Sequence, residues 1–145
     1  MSIYERLKAK WLEAGIAGKD AVAPATLDRF EKKRRVLLPS EFKDYLLRVN
    51  GMQEGQVDED LISFLSLERI DQDANCKEIS TNEVELVIAE YSIYSHTYVM
   101  RISRSDDRSP IFVTDGEHER PIAASFKDFL SQYLANPSRV AQCWA

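Results

Sequence analysis

The chain has 145 residues, 44% hydrophobic and 30% charged, with a formal net charge of −5. That balance belongs to folded soluble chains rather than to the weakly hydrophobic, highly charged disordered class. A chain of this length buries roughly 70% of its unfolded surface, so a single domain over residues 1–145 with its own core is expected. No apolar run approaches the ~20 residues needed to cross a bilayer, and the N-terminal residues are charged and amphipathic, which points to a cytoplasmic protein with no membrane partner. Two cysteines, Cys76 and Cys143, lie too far apart for a zinc or redox motif and read as inert thiols.

In chain order, Ser2 and Glu5 have capping-box spacing, and Ile3, Leu7, Trp11 and Leu12 read as the apolar stripe of a first helix ending near Ala14. Pro24 and Thr26 restart the chain, and Leu27 with Phe30 predicts a shorter second helix reaching about Arg35. The segment Leu38 to Gly51 reads LPSEFKDYLLRVNG. Pro39 suits a helix start, Phe42, Leu46 and Val49 repeat at helical spacing, and Gly51 is a natural stop, which predicts a helix over 39–50. Leu61 to Leu65 is a short apolar run, and Ser66 to Glu78 reads equally as turn or helix. Val84 to Ser103 turns to valine, isoleucine, tyrosine and threonine, with a break over Ser92 to His96, and predicts two adjacent strands. Ile111 to Thr114, the Asp115-Gly116 hairpin signal and Arg120 to Ala123 continue the meander. Ser125 and Asp128 then cap a last helix with Phe126, Phe129, Leu130, Tyr133 and Leu134 on its inner stripe, ended by Asn136-Pro137. The expected fold is α+β, an antiparallel sheet of about four to six strands packed against N-terminal helices and a C-terminal helix.

Charge is unevenly distributed. From Glu54 to Glu90 eleven acidic residues face two basic ones, a balance of −9, while the remainder carries +4. Such a stretch can steer a basic partner and opposes direct nucleic-acid binding, or it is a solvated surface that aids solubility. The basic run Lys32 to Arg35 lacks interleaved aromatic residues and reads as a solvated helix face.

The LPSEFKDYLLRVNG block, following Phe30-Glu31, resembles the signature helix of the SUKH superfamily, which includes fungal cell-wall assembly regulators and bacterial immunity proteins. Glu90-Tyr91-Ser92-Ile93 with Tyr98-Val99-Met100 is similar to its central sheet. Ile122-Ala123 followed by Ser125-Phe126-Lys127-Asp128-Phe129-Leu130 is similar to its closing element, so the likeness spans about residues 26–135. It implies a non-enzymatic binding module without cofactor, in bacteria commonly one that neutralises a toxin, often a nuclease. Partner-facing positions vary within the family and do not transfer. From charge and aromatic content the candidates are Asp58, Glu59, Asp60 and Glu90 for encounter, and Tyr91, Tyr94 and Tyr98 as anchors.

Two other readings stand beside that one: a regulatory scaffold domain, and a small-molecule binder or enzyme using His96 between Tyr94 and Tyr98. Asp115, Glu117, His118 and Glu119 form a loose metal-like set, but they follow a hairpin turn, where charge is expected anyway, and neither metal nor cofactor is expected. No glycine-rich phosphate loop, nucleophile elbow or His-Glu-x-x-His pattern occurs. No pair among His96, His118, Cys76 and Cys143 is expected near a nucleophile and an orienting acid.

Overall fold

A computed structural model describes residues 2–91 and 96–141. Three helices come first: α1 (Ile3–Glu13), α2 (Pro24–Arg34) and α3 (Ser40–Arg48). They are followed by β1 (Ile62–Phe64), α4 (Leu67–Ile70), β2 (Cys76–Glu78), β3 (Glu83–Tyr91), β4 (Thr97–Ser103), β5 (Ile111–Thr114), β6 (Glu119–Ala123), α5 (Phe126–Ala135) and α6 (Pro137–Ala141). The sheet has six strands in the order β1-β3-β4-β5-β6, and β2 shares with β1 the outer edge of β3. Every pairing is antiparallel, as hairpin connections require. The expected α+β architecture is therefore the observed one.

Each helix start has a local cause. Ser2, Ser66 and Ser125 accept from the amides of Glu5, Arg69 and Asp128, capping α1, α4 and α5. Pro24 occupies the first turn of α2, where its missing donor costs nothing. The α3 helix spans 40–48, shorter than expected, and Pro39 is its cap. Asn136-Pro137 ends α5 and also restarts the chain as α6, with Asn136 accepting from the amide of Arg139.

Strand alternation sends Val84, Leu86, Ile88, Tyr98, Met100 and Ile102 to the helix-covered face, where Phe64 meets Trp11 of α1 and Tyr133 of α5 at centroid distances of 5.3 and 4.9 Å. Phe42 of α3 meets Phe126 of α5 edge-on at 4.8 Å. Phe42, Leu46, Val49, Phe126, Phe129 and Leu130 are buried as expected, whereas Leu134 packs only half-buried at the margin. Leu12 is a correction: it is 80% exposed. At about 100° per residue it lies roughly 100° beyond Trp11 and opposite Ile3, off the buried stripe.

The signature block owes its shape to three residues. Glu31, buried on α2, accepts from the Leu38 amide at 2.8 Å and pairs with Lys43 of α3 at 3.3 Å, fixing the turn between the helices. Asn50, left-handed at φ 53°, donates to the Asp20 carbonyl at 2.9 Å and accepts from the Leu67 amide at 2.8 Å. Gly51 follows at φ 67°, and a Cβ there would stand 2.6 Å from the Leu65 carbonyl oxygen. Only glycine fits both the dihedral and that space.

Candidate functional site

The eleven carboxylates between Glu54 and Glu90 do not form one acidic face. Six of them hold salt bridges to cations of the chain itself: Glu68, Asp71, Asp73, Glu78, Glu85 and Glu90. Asp71 takes Arg34 at 2.8 Å and Lys33 at 3.2 Å, Asp73 takes Arg34 at 3.0 Å, and Glu78 takes Arg104 at 3.0 Å and Arg35 at 3.7 Å. Arg104 holds the Glu78 carboxyl below its ordinary value. The basic run 32–35 and much of the acidic stretch are thus each other's partners, and among the described residues Lys32 alone of that run has no salt bridge. Glu90, expected to meet a partner, is half-buried and accepts from Arg69 at 3.0 Å.

Asp58 is the second correction. It is 3% exposed and accepts from three donors: the amides of Asp60 at 2.8 Å and Ile62 at 2.9 Å, and the Tyr133 hydroxyl. Trp11 Nε1 donates to the same hydroxyl at 3.1 Å, so one buried polar chain joins α1, α5 and the loop before β1. Burial, then the neighbouring Asp58 carboxylate, pushes the Tyr133 phenol above its ordinary value. Leu61 adopts φ 67°, and its amide donates to the Asp58 carbonyl at 3.0 Å, closing the turn that the carboxylate organises. Asp58 therefore supports the loop from within and presents no surface to a partner. Its spacing to the amide two residues on, just before an apolar run, is the sequence signal of such a side-chain-stapled turn.

What remains outside is local. Glu54, Glu59 and Asp60 lie on the loop that Asp58 staples, and none has a salt bridge among the described residues; Glu83, also without one, stands apart on β3. Glu54 and Glu59 are exposed, and Asp60 is half-buried and accepts from Ser138 Oγ of α6 at 3.0 Å. Partly exposed Val57, with Lys10 and Glu13 of α1, borders a shallow depression beside Glu59.

Tyr98 is fully buried, its hydroxyl donating to the Val140 carbonyl at 2.9 Å. The alternation of β4 turns it into the core, so it anchors α6 and cannot anchor a partner. Tyr91 is half-buried and stacked on His96, with centroids 4.8 Å apart. Tyr94 and Cys143 lie outside the described residues.

The chemically capable side chains are dispersed. His96 is buried, 3.4 Å from the Tyr98 hydroxyl, and burial pushes its imidazole below the ordinary value against the opposing field of Asp115. His118 is exposed, 3.5 Å from Asp115. Cys76 is buried on β2, and desolvation pushes its thiol up, away from the reactive thiolate. Asp115 caps the amides of Glu117 and His118, and Glu119 pairs with Arg101, so these acids are occupied by the hairpin and the sheet. No group of three potential metal ligands is assembled among the described residues. A cleft of about 750 Å³ opens between the α2–α3 turn and the β4–β5 turn, and the exposed Leu37 lies on its lining. Of its four cations, Arg35 and Arg104 are engaged with Glu78 and Arg108 with Asp106, while Lys32 has no salt bridge among the described residues. Among the described residues no helix is long and apolar enough to cross a membrane.

No curated protein matches the chain. Against protein families, residues 21–132 match the SMI1 / KNR4 family (SUKH-1), a span that runs from the approach to α2 into α5 and takes in Glu31, Asn50, Gly51 and the Ser125 cap. With well over half its length matched, the chain belongs to that family.

Proposed function

We propose that the protein is a non-enzymatic binding module of the immunity type, which neutralises a basic protein toxin by docking the loop of residues 53–61 against it. The observation that carries this reading is that Glu54, Glu59 and Asp60 share one loop and hold no salt bridge among the described residues, while the chain's own lysines and arginines neutralise most of the other carboxylates of the stretch. Unneutralised charge on an ordered loop accelerates encounter with a cationic surface. Val57 and the partly exposed ring of Tyr91 add apolar area for a contact that slows dissociation. A basic nuclease fits, because the residues it uses on phosphates are those an acidic loop would cover. A regulatory scaffold role in the manner of cell-wall regulators would use the same kind of surface on a different partner.

Genetic context separates the two. Co-expression with a toxin encoded beside the gene should restore growth when the wild-type chain is present, and should fail with Glu59→Lys/Asp60→Lys at equal abundance. Growth inhibition unchanged by the wild-type chain counts against immunity and leaves the scaffold role.

A further inference from the structure

We propose that His96 is a pH-sensitive latch for α6 and, through it, for the acidic loop. His96 stands at the entry to β4 with 4% of its surface exposed, its ring stacked on Tyr91 at an interplanar angle of 6° and edge-on to Tyr98 at 83°. Nε2 lies 3.4 Å from the Tyr98 oxygen, whose own proton goes to the Val140 carbonyl of α6 at 2.9 Å. Nε2 is therefore the donor of that contact, and in the neutral ring Nδ1 carries the lone pair. Two residues earlier in α6, Ser138 donates to Asp60 at 3.0 Å. The short helix is thus a strut with one foot on the His96–Tyr98 pair and the other on the loop.

Acid places a proton on Nδ1 and a charge inside this aromatic cage. Among the described residues no carboxylate pairs with the ring. Tyr91 from β3 and Tyr98 from β4 are neutral, α6 offers a backbone carbonyl while its charged side chain Arg139 is exposed, and Asp115 in the β5–β6 turn acts only at a distance. Burial outweighs Asp115, so the folded imidazole binds a proton less readily than a hydrated one. States in which α6 lifts and the ring meets water then gain population as pH falls below the ordinary imidazole value of about 6.5. That window lies above ordinary carboxylate titration. The latch concerns this chain alone, and only its consequence for partner binding rests on the proposed function.

Amide hydrogen exchange on the full chain tests it without any partner. Protection of residues 138–141, corrected for the intrinsic rate, should fall as pH is lowered from about 7.5 through 6.5, by at most about tenfold per pH unit for one added proton. In His96→Gln, whose amide can still donate to Tyr98, that slope should vanish, while His118→Gln should retain it. If His96→Gln does not fold, an NMR titration of the wild type decides: the His96 ring and the Val140 amide should share one midpoint. Flat protection in the wild type, an unchanged slope in His96→Gln, or separate midpoints overturn the latch.

Discussion

Replacing Asp58 by alanine removes the acceptor that staples the loop before β1. The Ile62 amide and the Tyr133 hydroxyl, both buried, then lose their partner, while the Asp60 amide can turn to water. Each orphaned buried donor costs about 1–3 kcal/mol, so the loss should be about 2–6 kcal/mol, a large share of the 5–15 kcal/mol that holds a typical domain. Urea unfolding should show the midpoint displaced with the slope unchanged. Tyr133→Phe removes the hydroxyl that links Asp58 to Trp11, so a double-mutant cycle between positions 58 and 133 should give a coupling well above the scatter of independent sites, which is about 0.3–0.5 kcal/mol. A loss below about 1 kcal/mol for Asp58→Ala, at the bottom of the range for one orphaned donor, refutes the view that this carboxylate is internal.

Further outcomes follow from the same packing. Leu46→Ala, in a fully buried site of α3, should cost about 2–5 kcal/mol in chemical unfolding. Leu12→Ala, at an exposed position, should change stability by no more than about 0.5 kcal/mol in the same assay. Gly51→Ala combines a left-handed dihedral with a 2.6 Å approach to the Leu65 carbonyl, and should lower the melting temperature by more than the roughly 1–3 kcal/mol of backbone strain alone implies. Thermal stability of the wild type should decline below about pH 6.5, because the buried His96 is held neutral, and this decline should be smaller in His96→Gln.

The helices and the strand meander were legible because apolar spacing reports directly on which face is buried. Phe42, Leu46 and Val49 on α3 and Phe126, Phe129 and Leu130 on α5 behave as their period requires. Leu12 and Leu134 mark the limit of that signal, since both follow an inward residue immediately and lie away from the centre of the stripe. The candidate site was less legible. A count of charges along the chain treats every carboxylate as surface, whereas folding brings Lys33, Arg34 and Arg35 onto Asp71, Asp73 and Glu78 across more than thirty positions, as the Arg34–Asp71 separation of 37 shows. Asp58 and Asp60 are two residues apart, yet one faces the Tyr133 hydroxyl and the other the rim of α6. Tyr98 marks the opposite limit: composition makes its strand legible but does not say which face of β4 the helices cover.

Association kinetics test the central claim most directly. If the proposed partner is a basic toxin encoded beside the gene, Glu59→Lys/Asp60→Lys, which leaves the Asp58 staple in place, should slow association with it, and the difference from wild type should shrink as salt rises, because exposed charges are screened over about 10 Å at 0.1 M. The dissociation rate should change far less, and the unfolding free energy should fall by no more than the roughly 0.5–1.5 kcal/mol that loss of the Ser138–Asp60 hydrogen bond implies. An association rate equal to wild type at low salt contradicts the assignment of this loop as the partner-facing surface.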